Sequence, residues 1–192
     1  MKKVLLAFVV LAMVVFLVGC MPQGITPQED KPQVNGLQGN TPDGKEETTE
    51  STPKISAVER QRLDLYVTVM KAAFHEENVG NAFVAVKLDT LGGLSDTAKE
   101  QVLKELAVLS PQVYSYEDVK SDNTKFEPDD RGGKKRAIDG ALLWVDVEKY
   151  SDRKAIITGV SWFGNLGAVF PKYEAKYENG GWQLKLIRMA VS

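Results

Sequence analysis

Side chains able to do chemistry are scarce in this chain, which has one cysteine, Cys20, and one histidine, His75, in 192 residues. His75 stands beside Glu76 and Glu77, near the end of an expected helix. As a proton carrier it would need a placed partner and a substrate within hydrogen-bond reach. In a helix's last turn it complements the helix dipole, and it is read that way. A single histidine excludes the two-histidine zinc motifs, and neither a serine-hydrolase elbow nor a dinucleotide-binding glycine pattern occurs. No catalytic residue, metal-ligand set or cofactor is therefore assigned.

Two further segments carry suggestive residue types. Glu127-Pro128-Asp129-Asp130-Arg131-Gly132 offers oxygen ligands, but without the alternating acids and distal glutamate of an EF-hand loop. Lys134, Lys135 and Arg136 follow directly, so a solvated run of self-paired charge is expected. Ser161-Trp162-Phe163-Gly164-Asn165-Leu166-Gly167 leads two large aromatics into a glycine-flanked turn with an apolar tip. Aromatics beside loops supply contact area at low entropic cost, which makes Trp162, Phe163, Asn165 and Leu166 the candidate binding residues. Strand alternation puts Ile156, Thr158, Val160 and Trp162 on one face. Trp162 is accordingly expected in a sheet–helix core, and Leu166 is expected to make contact.

The N-terminus assigns Cys20 a different role. Lys2 and Lys3 precede an uninterrupted apolar run of 15 residues, Val4 to Val18, closed by Gly19 and Cys20. A positive start, an apolar middle and a small residue before the break describe a secretory signal over residues 1–19. Leu17-Val18-Gly19-Cys20 resembles the lipobox of bacterial lipoproteins. That resemblance implies a diacylglyceryl group on the Cys20 thiol, cleavage just before it by signal peptidase II, and acylation of the new amino group. An uncleaved membrane helix is the alternative, since Val4 to Met21 is just short of the ~20 residues needed to span a bilayer. Both place the rest of the chain outside the cytoplasm, because Lys2 and Lys3 favour the inner side. The expected location is the cell envelope, with attachment to a membrane through lipid on Cys20. Two acyl chains anchor stably where one does not.

Lipidation would leave the exported part without a thiol, which excludes disulfides, thiol nucleophiles and thiolate metal sites. Removing residues 1–19 takes away two lysines and no acid, leaving 22 basic and 26 acidic side chains and a formal charge of −4. That mild acidity argues against a nucleic-acid partner and against a polybasic grip on lipid.

From Met21 to Ile55 the chain holds five of its eight prolines, four glycines and no aromatic residue. Too little apolar surface is present to offset ordering entropy, so residues 20–55 are expected to form a lipidated, disordered tether. Within it, Gly39 to Lys45 matches the start of a phosphate-binding loop. Glu46 replaces the required hydroxyl, and no strand precedes the segment.

Residues 56–192 suffice for a single domain. Ser56 and Glu59 form a capping box, and Leu63, Tyr66, Val67, Met70 and Phe74 recur at helical spacing, predicting a helix from Ala57 to Asn78. Phe83 to Leu88 reads as a strand. A second helix, capped by Ser95 or Asp96, runs to Leu109. Tyr114 to Val119 reads as a strand and Lys120 to Arg136 as a charged loop. A four-strand meander follows, over 141–148, 155–163, 168–177 and 182–191. Asn179-Gly180 signals a type I′ hairpin, and Pro171 demands a bulge or an edge.

Helices first and a meander last predict an α+β domain, with N-terminal helices packed on a curved antiparallel sheet. The element order resembles the cystatin-like or NTF2-like shape. Function is expected to be binding, of an unknown small molecule in a helix–sheet cavity or of an envelope protein. A small cavity-type hydrolase or isomerase using a carboxylate or His75 is the alternative.

Overall fold

Ser56 starts the first helix as the capping box requires, its hydroxyl accepting from the Glu59 N–H at 3.2 Å. The computed structural model describes residues 54–76 and 80–192. The expected signal, Cys20, the tether up to residue 53, and residues 77 and 78 lie outside the described residues; the first helix already ends at Phe74, short of the predicted Asn78, with His75 and Glu76 in a turn. The helix, α1, spans Ala57–Phe74 and buries Leu63, Tyr66, Val67, Met70 and Phe74, as its spacing predicts.

Strand β1 (Phe83–Val86) is buried on both faces. A 3-10 turn (Leu88–Thr90) and helix α2 (Asp96–Leu106, capped by the Ser95 hydroxyl) lead to β2 (Val113–Ser115). That crossover through α2 makes β1 and β2 parallel, and β1 also runs parallel to β5 (Gly140–Ser151). The expectation of an antiparallel sheet is corrected here: among the described residues the nine-stranded sheet is mixed, six strands following the order β2-β1-β5-β6-β4-β3 while β7 and β8 also pair with β6 and β9 pairs with β8. Phe83-Val84-Ala85-Val86 is a continuous apolar run because a parallel strand is covered on both sides.

Two further expectations are corrected between the helices and the meander. Tyr116–Val119 is a short helix, α3, not a strand. The charged stretch contains a hairpin, β3 (Phe126–Pro128) with β4 (Lys134–Ala137), rather than an irregular loop. Phe126, fully buried, fixes that hairpin to the sheet.

The meander forms as expected. After β5 come β6 (Lys154–Gly164), β7 (Gly167–Val169), β8 (Lys172–Glu178) and β9 (Gly181–Arg188). β7 and β8 both pair with β6, so they are one strand position interrupted at Pro171. Asn179 and Gly180 take φ of 55° and 81°, as a type I′ turn demands.

The sheet separates two cores. On one face α1 and α2 pack over Val84, Val86, Leu143, Val145 and Ile157. α1 comes close enough that a Cβ on Gly159 would stand 2.8 Å from Val69 Cγ1. On the other face Phe83, Ala85, Val119, Phe126, Ala137 and Leu142 form a smaller cluster under α3 and the β3–β4 hairpin. Alternation thus fills both sides of β1. Among the described residues no helix is long and apolar enough to cross a membrane.

Candidate functional site

The β6–β7 turn and the β3–β4 hairpin meet where Arg136 pairs with Gly164 and the Asn165 N–H donates to the Lys135 carbonyl at 2.8 Å. Between them lies a cleft of about 640 Å³ walled by Phe163, Asn165 and Leu166 on one side. Glu127, Pro128, Asp129, Asp130, Lys135 and Arg136 form the other. The structure therefore brings together three of the four candidate binding residues. Leu166 is 95 % exposed at the turn's tip. Phe163 is half-buried and holds its position because residue 167 has no side chain: a Cβ on Gly167 would sit 2.3 Å from the ring.

Trp162 belongs elsewhere. The expected parity holds, since Ile157 and Gly159 face α1 while Trp162 takes the other side. That other side is not the sheet–helix core, which corrects the expectation. Trp162 instead packs half-buried against the smaller cluster, its ring tilted 30° to Phe126 at 6.4 Å.

One acid of the cleft, Glu127, is paired with both of the cations that line it. Glu127 accepts from Lys135 Nζ at 2.7 Å and from Arg136 Nε at 2.5 Å. These bonds, the one from Lys135 foremost, hold its carboxyl below the usual carboxylate range. Asp129 Oδ1 accepts the N–H groups of Arg131 and Gly133 at 2.9 and 2.6 Å and so shapes the hairpin loop. The self-pairing expected of this run is present for Glu127 with Lys135 and Arg136. The cleft thus has an apolar wall, from Phe163 and Leu166, facing a polar one.

His75 caps α1 at its C-terminal end, exposed, with its ring edge-on to Phe74 at 5.7 Å. Neighbouring Glu76 accepts a 3.4 Å hydrogen bond from the Tyr173 hydroxyl. His75 is thus placed to complement the helix dipole and does not line the cleft.

A second cavity, of about 500 Å³, opens between α1 and β5. Arg62 lies over the Tyr150 ring at 4.1 Å, and Tyr66 donates to the Gly92 carbonyl at 2.8 Å. Sequence reasoning missed this site. Its only local signal is the spacing of Glu59, Arg62 and Tyr66, which share one side of α1. Among the described residues, no group of three or more acids or histidines is placed to hold a metal ion.

No protein-family model matches this chain, and no curated protein or solved structure matches it either.

Proposed function

We propose that the protein is a lipid-anchored, extracytoplasmic binding domain that docks an envelope protein at the β6–β7 turn. Attachment through Cys20 is supported by the lipobox-like Leu17-Val18-Gly19-Cys20 and by the charge-free run before it. The tether composition of residues 20–55 supports a domain held away from the bilayer. The cystatin-like or NTF2-like reading of its shape is supported by a long helix laid across a four-position meander, with the parallel β1 and β2 as additions.

The single observation carrying the binding reading is Leu166, 95 % exposed beside a cleft walled by Phe163. A lone exposed leucine is ordinary, but one flanked by an aromatic-walled cleft makes a contact patch. Covering that side chain with a partner is worth about 1.5–3 kcal/mol. The test is capture from an envelope extract by the immobilised full chain and by Leu166→Asp. Loss of a discrete captured protein with an unchanged thermal midpoint is expected. Equal capture by both chains would refute the assignment.

A further inference from the structure

The cavity between α1 and β5 is built around two buried polar atoms that lack a partner among the described residues. Arg62 Nε and the Tyr150 hydroxyl are both buried, and neither has a hydrogen-bond partner among the described residues. Buried polar groups are almost always paired, and each exception calls for a physical explanation. Here the two orphans adjoin, because the guanidinium stacks on the phenol ring at 4.1 Å. Among the described residues no carboxylate forms an ion pair with Arg62.

The backbone is arranged to produce this pair. In β5 the register shifts between Val147 and Lys149, where Glu148 is the extra residue. Val147 then opposes Ile157 and Tyr150 opposes Ala155, both core residues on the α1 side. Without the bulge, Lys149 would take that place, so the bulge re-aims Tyr150 at the helix. Arg62 is held from the other direction. Gly93, at φ +77°, lies so near that a Cβ on it would be 1.5 Å from Arg62 Nη1. That loop is fastened on both sides, by Tyr66 to the Gly92 carbonyl and by the Ser95 N–H to Glu59 at 2.5 Å. A guanidinium fixed in advance loses little freedom on binding.

From this geometry we infer that the α1–β5 cavity binds a small monocarboxylate with a short aliphatic tail. The carboxylate would accept from Arg62 and from the Tyr150 hydroxyl. The tail would lie along Val145 and Val147, which also line the cavity. A volume of about 500 Å³ falls within the range of small-molecule sites. Arg62 is the one cation among the residues lining the cavity. One guanidinium balances a single negative charge and leaves the second charge of phosphate unmatched. This site is separate from the β6–β7 turn and does not depend on its role.

The test is calorimetric titration of the full chain in detergent with butyrate, acetate, inorganic phosphate and neutral butanamide. Butyrate should bind saturably and more tightly than acetate, while phosphate and butanamide should not saturate. Arg62→Gln should weaken butyrate about tenfold and Tyr150→Phe about threefold, as expected for losing a charge-assisted and a weaker hydrogen bond. Protection of Arg62 from phenylglyoxal by butyrate, read by peptide mass spectrometry on the parent chain, requires no variant to fold. Phosphate or acetate binding as tightly as butyrate would overturn the ligand class. Absence of both saturation and protection would show that the orphan atoms hold only water, and would overturn the site.

Discussion

The ring of Phe163 occupies the space where a side chain on Gly167 would begin, 2.3 Å from Cε2 to the nearest Cβ position. The aromatic wall of the cleft and the glycine after the turn are therefore one feature. Gly167→Ala should destabilise the domain by about 1–3 kcal/mol through overpacking. Adding Phe163→Ala should return part of that loss, with a coupling of about 1 kcal/mol in a urea-unfolding double-mutant cycle. Strict additivity would show that the ring does not depend on residue 167.

Trp162 and Phe126 differ in depth, and their alanine variants should differ accordingly. Phe126 is fully buried, so Phe126→Ala should cost about 3–5 kcal/mol. Trp162 is half-buried, and Trp162→Ala should cost less, about 2–3 kcal/mol. Thermal and urea unfolding of both variants provide the check. A larger loss for Trp162 would mean that it, and not Phe126, fixes the hairpin.

Much of the architecture follows from local pattern. Ser56-x-x-Glu59 marks the first helix, Asn179-Gly180 marks the last hairpin, and alternation marks the meander. Parallel pairing of β1 with β5 does not, because the choice of neighbour is made by a long crossover through α2. The β3–β4 hairpin escapes for another reason. Lys134-Lys135-Arg136 carries no apolar alternation, and a single buried phenylalanine, Phe126, holds the hairpin in place. At the candidate site, Leu166 is legible because a turn tip has nothing to pack against. Parity places Trp162 on one face, but which face meets the helix depends on tertiary packing. Arg62 and Tyr150 are invisible as a pair, since only a bulge far along the chain brings them together.

Alkaline pH should expose the contact between Tyr173 and Glu76. Burial, and then the Glu76 carboxylate beside it, push the Tyr173 hydroxyl up to about 12 from an ordinary value near 10. A raised folded value gives stability that is complete below about pH 10 and is lost as pH rises towards about 12. The urea midpoint should fall across that window, and Tyr173→Phe, which cannot ionise, should flatten the fall. An unchanged slope in the variant would contradict the assignment.

Attachment through Cys20 predicts incorporation of a fatty acid label into the parent chain. Cys20→Ala should lose that label and retain the unprocessed N-terminus. Undiminished label in the variant would place the lipid elsewhere.

The central claim, that the β6–β7 turn is a contact surface, is tested most directly by a photo-reactive residue placed at position 166 in living cells. Val108, 76 % exposed and outside the cleft lining, gives the control position. Irradiation should yield one discrete adduct of defined mass from position 166 and none of that mass from position 108. The same adducts from both positions, or none from position 166, would contradict the claim.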